Sequence, residues 1–194
     1  MKHKVFTFDI ISLLFYISLI LEGHTAEFLC LVLAVVLHES GHLIMAYFLR
    51  IRIQSVHFSV LGAKIDIEDA YLPYRKEFLL CATGPLFSLA GALIVRIFFY
   101  SSRVTLFALL SFALGLINLM PAGELDGGRM FRILCLQILK PHKALLVFRF
   151  TSFFSILFLW LISLYLLLRS GDCISLFAFS LVLFMRFFLS EKSK

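Results

Sequence analysis

The sequence His38-Glu39-Ser40-Gly41-His42 has the pattern H-E-x-x-H and lies inside an apolar run over residues 26–49. On a helix, side chains four positions apart share one face, with Cβ atoms about 5–6 Å apart. His38 and His42 could therefore direct two imidazoles at one metal ion. Glu39, about 100° further round the helix, could act as a general base. Ionisable groups in a membrane-length apolar segment are costly, so the pattern indicates a functional site. A chance match, or two histidines that merely satisfy each other, is the alternative.

The composition is that of a membrane protein. Of the 194 residues, 61% are hydrophobic and 15% are charged, against about 45–50% and about 25% in a soluble domain. The net charge of +6 could suit nucleic-acid binding in a soluble protein, but the basic residues cluster in loops between apolar segments. They are better interpreted as orientation signals, so we expect a lipid bilayer and no nucleic acid as partner. The four cysteines stand singly and indicate neither a disulfide framework nor a thiolate metal site.

Six segments have the character of membrane-spanning helices, which need about 20 apolar residues. They cover approximately residues 6–21, 26–49, 76–100, 104–120, 144–169 and 173–189. Between the second and third segments, residues 51–68 approximate an apolar–polar alternation around Leu61-Gly62, which is typical of a β-hairpin. The sequence predicts an all-α polytopic membrane protein with about six transmembrane helices and a short β-hairpin after helix 2.

The loop charges predict the orientation. With the N-terminus inside, fifteen Lys and Arg residues fall on the cytoplasmic side and three on the other, so the positive-inside rule puts both termini in the cytoplasm. His42 then lies seven residues, or about 10 Å, before the cytoplasmic end of the second helix. We expect one membrane-embedded domain, residues 1–194, with a core over 26–129 and C-terminal helices over 144–189, in a bacterial cell membrane.

A second polar segment follows the fourth apolar run, where residues 118–129 read NLMPAGELDGGR. Pro121 ends the preceding helix, and the glycine pair after Asp126 allows close backbone approach or positive φ. A catalytic zinc site usually has three protein ligands and a water, so a carboxylate here could complete the histidine pair. Residue chemistry alone leaves Asp126 and Glu124 as rival ligands. It also leaves open a polar turn in which Asp126 caps the next helix.

Together the two motifs resemble those of the site-2 protease family of intramembrane zinc metalloproteases, peptidase family M50. The resemblance covers about residues 26–129, with H-E-x-x-H first, then Gly84-Pro85, a pair common in the family, then N-x-x-P-x-x-x-L-D-G. It implies one zinc ion per chain and favours Asp126 over Glu124. The roles that it implies are zinc ligands His38, His42 and Asp126, catalytic base Glu39, and substrate contacts at Asn118 and Pro121.

The departures from the family pattern point to a compact branch. Many members carry PDZ or CBS domains, and we expect neither here. The plan is most similar to the sporulation branch, which processes a membrane-associated pro-sigma factor, and this resemblance implies a membrane-associated protein substrate in regulated intramembrane proteolysis. Family members often have Asn where this chain has Ser88, so a substrate contact there is not carried over. The sequence leaves open whether an inhibitory membrane protein regulates the site.

The expected reaction is hydrolysis of a peptide bond. Zinc would act as a Lewis acid on water, and Glu39 would take a proton from that water and deliver it to the leaving amine. A strand edge of the hairpin could receive an extended substrate segment. Two other functions remain open, namely a metal-dependent transporter and a non-catalytic scaffold. The transporter would not need Glu39 beside the first histidine, and the scaffold would not need both metal-binding halves.

Overall fold

The structure, a computed structural model, describes residues 6–8, 25–51, 53–59, 62–67, 72–123, 125–170 and 174–192. Its elements in chain order are β1 Phe6–Phe8, α1 Thr25–Phe48, β2 Ile53–Ser59, β3 Gly62–Ile67, α2 Tyr74–Phe98, α3 Ser102–Asn118, α4 Asp126–Ile138, α5 Pro141–Ser170 and α6 Ile174–Lys192. The chain divides into two compact units, Met1–Leu119 and Met120–Lys194. The first unit contains β1–β3 and α1–α3, and the second contains α4–α6. The single functional domain expected from the sequence stays a prediction.

Helices α1, α2 and α3 pack against one another in the first unit, with small residues at their contacts. A Cβ atom on Gly41 of α1 would lie 2.6 Å from the Thr83 carbonyl oxygen of α2. A Cβ atom on Gly115 of α3 would lie 3.1 Å from Cβ of Ser88 on α2. In a membrane there is no hydrophobic force between helices, and glycine lets their backbones approach closely. These contacts bring polar side chains of three helices within hydrogen-bonding distance.

The C-terminal end of α1 is closed by a left-handed residue. Arg50 has φ of 54°, and the Ile51 N–H donates to the Ala46 carbonyl at 2.9 Å. This is the hydrogen bond of a Schellman motif, which satisfies a carbonyl that the helix end leaves open. Lys76 Nζ of α2 donates to the Leu49 carbonyl at 3.3 Å. The start of α2 is thereby tied to the end of α1.

The three strands form one sheet in the order β1-β2-β3. Strands β2 and β3 pair antiparallel, with a register shift between Ile53 and Ser55, inside residues 51–68 where the alternation predicts a hairpin. Strand β1 pairs parallel with β2, Phe6 opposite Val56. The predicted helix over residues 6–21 is therefore wrong at its start, where Phe-Thr-Phe has the aromatic and β-branched side chains that favour a strand. Residues 9–21 lie outside the described part of the chain.

Three of the described helices are long and apolar enough to cross a membrane, by length and composition: Thr25–Phe48, Tyr74–Phe98 and Pro141–Arg169. Helix α3, with 17 residues, is shorter. At 1.5 Å per residue it extends about 26 Å, less than the ~30 Å hydrocarbon core. The composition and the three long helices identify a membrane protein. Six spans and two cytoplasmic termini stay predictions.

The second unit contains a helix, α4, that is not among the six apolar segments found in the sequence. Helix α4 buries Ile133 and Cys135 and exposes Arg132, so it is amphipathic, and a search for apolar runs passes over it. Burial raises the pKa of the Cys135 thiol. Cys30, Cys81 and Cys135 are buried thiols that form no disulfide, as expected of small apolar residues.

Helices α5 and α6 pair mainly through aromatic rings. Trp160 of α5 lies between two α6 rings, with centroid distances of 6.4 Å to Phe177 and 6.3 Å to Phe184. Between the two helices, Ser163 and Ser180 share a hydrogen bond of 2.8 Å, and both are fully buried. The Trp160 carbonyl is a further acceptor for Ser163, and the Phe177 carbonyl is one for Ser180, so both buried hydroxyls are hydrogen-bonded.

Candidate metal centre

The H-E-x-x-H residues lie in the middle of α1 and are buried within the first unit. His38, Glu39 and His42 keep 4%, 8% and 7% of their surface exposed. The two imidazoles stand one helical turn apart, with centroids 5.0 Å apart and planes at 76°. Their Nε2 atoms are 3.3 Å apart. The helical spacing that the sequence predicts therefore gives two converging ring nitrogens.

The Nδ1 atom of His42 is hydrogen-bonded to a backbone carbonyl of α2. His42 Nδ1 lies 2.8 Å from the Leu80 carbonyl oxygen, which also accepts from the Thr83 hydroxyl at 2.8 Å. A carbonyl can only accept, so Nδ1 must carry a proton. In a neutral imidazole the other nitrogen then has the lone pair, and the Nε2 lone pair of His42 faces His38.

The Nδ1 atom of His38 is hydrogen-bonded to a side chain of α2. His38 Nδ1 lies 3.0 Å from the Ser88 hydroxyl, across fifty positions of sequence. Ser88 is itself held by α3, because the Ser111 hydroxyl donates to the Ser88 carbonyl at 3.0 Å. Both serines are fully buried. The two histidines of α1 are thus oriented by a second layer of hydrogen bonds from α2, as metal-binding histidines usually are.

The histidine pair fits a zinc ion. Two nitrogen ligands at about 2.0–2.1 Å from a tetrahedral zinc lie about 3.3–3.4 Å apart, and the Nε2 atoms are separated by 3.3 Å. Gly84 of α2 packs against the His42 ring so closely that a Cβ atom there would overlap Nε2, Cε1 and Cδ2. The space around the ring therefore depends on glycine at this position.

Glu39 belongs to the same buried group. It follows His38 on α1, and its Oε2 atom is screened from solvent. The structure therefore brings together three of the predicted site residues, His38, Glu39 and His42.

The remaining predicted residues lie around the end of α3 and the start of α4. Asn118 is the last residue of α3, and it is buried, with its Nδ2 donating to the Leu114 carbonyl at 3.0 Å. Pro121 lies in the turn that follows. Asp126 is the first residue of α4 and belongs to the second unit, so its role as the third ligand stays a prediction. Glu124 lies outside the described residues, and its rivalry with Asp126 stays open.

Two glycines shape the turn before Asp126. Gly123 has φ of +48°, a conformation that other residues rarely adopt, and its N–H donates to the Ser152 hydroxyl of α5 at 3.2 Å. A Cβ atom on Gly128 would lie 2.7 Å from the Gly123 carbonyl oxygen and 2.8 Å from that of Ala122. The turn is therefore folded tightly onto the first turn of α4 and tied to α5.

Sequence reasoning missed three groups that contact the two histidines or the turn before Asp126. The Leu80 carbonyl leaves no trace in a sequence, because every residue has one. Ser88 appears only as a departure from the family pattern, although its place one turn after Gly84 puts it on the glycine's face of α2. Ser152 lies 29 positions from its partner Gly123, in a helix read only as a membrane span.

Comparison with known proteins gives three findings. The family model described as Peptidase family M50 matches residues 100–162, which include the turn before Asp126 but not the histidine pair. The protein "Stage IV sporulation protein FB" of Bacillus subtilis (strain 168) is 30% identical over 131 residues, 64% of this chain and 46% of that protein. The chain thus spans less than half the length of this curated relative.

Among solved structures, the "Site-2 Protease from Methanocaldococcus jannaschii" is similar over almost the whole chain. The match covers 93% of this chain and 87% of that chain, with a TM-score of 0.65 and 26% sequence identity. Both the fold and a quarter of the aligned residues are therefore shared.

Proposed function

Because the chain belongs to the site-2 protease family of M50 peptidases, we propose that it is an intramembrane zinc metalloprotease that hydrolyses a peptide bond of a membrane-associated protein. The single observation that carries this proposal is the geometry of the histidine pair. His38 and His42 are buried, their Nε2 atoms are 3.3 Å apart, and both Nδ1 atoms are hydrogen-bonded to α2.

One zinc ion per chain would be held by His38, His42 and Asp126. The two histidines contribute Nε2, and the carboxylate of Asp126 contributes an oxygen, the assignment that the family resemblance supports. Bound there, zinc supplies Lewis-acid activation that brings the pKa of a water molecule to about 7. Two neutral nitrogens and one anionic oxygen are ligand types that zinc accepts in catalytic sites.

Glu39 moves the proton in this proposal. It accepts a proton from the attacking water and then delivers it to the nitrogen of the leaving amine, so that no charge has to leave the buried site. Its burial beside His38 favours this role, because a carboxylate shielded from bulk solvent keeps the proton within the site.

The substrate must present an extended peptide bond, because a helix hides its carbonyls. Asn118 and Pro121 stand where α3 ends, and we assign them the contact with the substrate backbone. Strand β3 ends the sheet of the described residues and offers an edge to which an extended segment could add as a further strand.

A regulatory precursor such as a pro-sigma factor is the substrate that we favour. The support is the 30% identity to a sporulation protein, over 46% of that protein's length. An inhibitory membrane protein would be a further partner in such a pathway. Family membership does not favour the transporter or the scaffold.

The test is co-expression of the chain with candidate membrane-tethered precursors. The native chain is compared with Glu39→Gln, and Glu27→Gln, an exposed glutamate on the same helix, is the matched control. We expect cleavage by the native chain and by Glu27→Gln, and a loss of at least about 100-fold in Glu39→Gln. Glu39→Gln should retain its zinc. Cleavage at the native rate by a zinc-loaded Glu39→Gln protein would refute the proposal.

A further inference from the structure

We propose that Ser88 is a positioning residue for His38, whose hydroxyl accepts a hydrogen bond from His38 Nδ1–H and so turns the Nε2 lone pair toward the metal. This inference rests on the zinc site of the proposed function and adds to it a residue to which the sequence analysis assigned no role. Ser88 touches neither the metal nor the substrate in this proposal. It acts only through the ring of His38.

The geometry distinguishes the two histidines. His42 Nδ1 faces the Leu80 carbonyl, which can only accept, so that contact alone fixes the position of the proton. His38 Nδ1 faces a hydroxyl at 3.0 Å, which can donate or accept. A metal needs the lone pair of Nε2, so the proton of His38 must lie on Nδ1, and the Ser88 oxygen must then be the acceptor.

The backbone and Cβ atom of Ser88 are held by α3. Its carbonyl accepts from the Ser111 hydroxyl of α3 at 3.0 Å, and Gly115 of the same helix abuts its Cβ atom. The side chain is fully buried. Helix α3 thus positions the backbone of Ser88 on α2, from which the Ser88 hydroxyl reaches His38 of α1. In this proposal the orientation of the His38 Nε2 atom therefore depends on how the three helices pack.

The second unit offers a matched control. Ser180 is also a fully buried helical serine, but its hydroxyl lies 2.8 Å from the Ser163 hydroxyl and donates to the Phe177 carbonyl of its own helix at 2.8 Å. Loss of the hydroxyl of Ser88 or of Ser180 leaves a similar small gap in a buried helix contact. Only Ser88 should affect a metal ligand.

The first readout is proton–nitrogen NMR of the zinc-loaded protein labelled with ¹⁵N-histidine. We expect two imidazole Nδ1–H signals, assigned through their contacts with protons of Ser88 and Leu80. In Ser88→Ala the His38 signal should move upfield and exchange faster with water, whereas the His42 signal should stay unchanged. In Ser180→Ala both signals should stay as in the native protein. An unchanged His38 signal in Ser88→Ala would overturn the inference.

The second readout is zinc affinity, measured by competition with a chelator. Loss of a hydrogen bond to a metal-binding histidine typically weakens affinity by about 10–100-fold, so Ser88→Ala should bind zinc at least about 10-fold more weakly than Ser180→Ala. If Ser88→Ala does not fold, Ser88→Cys fills the site with a slightly larger side chain and replaces the hydroxyl with a weak acceptor, and it should give the same result. Affinity within twofold of the native value in a folded variant would overturn the inference.

Variants of the histidines separate this inference from the proposed function. If His38→Ala keeps full zinc, the proposed metal site itself is wrong. If His38→Ala loses zinc but Ser88→Ala binds it as the native chain does, the metal site stands and only the role of Ser88 fails.

Discussion

The α1–α3 group and the α5–α6 pair pack apolar helices in different ways. In the first, glycines lie at the contacts, and the buried polar residues include two histidines and a glutamate. In the second, aromatic rings fill the contact, as at Trp160 with Phe177 and Phe184, and the buried polar groups include a serine pair. In both groups the buried hydroxyls named above are hydrogen-bonded, but in the first group they lie against the proposed metal ligands.

This difference assigns separate physical roles to the two kinds of packing. Aromatic contacts bury large surfaces and tolerate some variation in helix position. Glycine contacts remove side-chain volume and bring backbones close together, so that side chains such as Ser88 and backbone carbonyls such as that of Leu80 reach a histidine ring. Changes in the first group should therefore alter metal binding, whereas changes in the second should alter stability alone.

The largest effect is expected at Asp126, the proposed third ligand. Asp126→Asn keeps the shape of the side chain but removes the anionic oxygen that zinc prefers, so it should abolish cleavage and weaken zinc binding. Glu124→Gln is the matched control, because it changes the rival carboxylate two positions earlier, and it should leave most of the activity. Zinc content and cleavage are measured on both purified variants.

The opposite pattern would be decisive against this assignment. Activity that survives in Asp126→Asn but disappears in Glu124→Gln would make Glu124 the ligand, and the family resemblance would be misleading at that position.

A large effect is also expected at Gly84, with Gly91 on the same helix as the control. A Cβ atom on Gly84 would overlap the His42 imidazole, which has to move, whereas one on Gly91 would meet the flexible end of Leu37. Gly84→Ala should weaken zinc binding by about 10–100-fold, the range for displaced ligand geometry. Gly91→Ala should bind zinc nearly as the native chain does. Equal affinities for the two variants would remove the special role of the Gly84 contact.

The smallest effect is expected in the α5–α6 pair. Ser163→Ala removes one partner of the hydrogen bond with Ser180 and should lower the free energy of unfolding by about 1 kcal/mol. Zinc content and cleavage should be unchanged. Stability is measured by unfolding in mixed detergent micelles. A loss of zinc in Ser163→Ala would contradict the separation of roles between the two helix groups.

The sequence predicts the geometry of the histidine pair better than it predicts the fold around it. The spacing of His38 and His42 is a local property of one helix, so the motif alone gives two converging imidazoles. Strand β1 could not be foreseen, because Phe6–Phe8 pairs with residues some fifty positions away. Helix α4 is absent from the six predicted segments because polar residues interrupt its apolar ones, so it contains no long apolar run. The contact of Ser88 with His38 depends on how α1 and α2 cross, which no local pattern records.

The zinc content of the purified chain tests the central claim most directly, because the proposed function requires His38 and His42 to hold one ion. We predict about one zinc per chain in the native protein and in His142→Ala, which changes an exposed histidine of α5. His38→Ala and His42→Ala should each lose the ion. A full complement of zinc in either of these two variants would contradict the account.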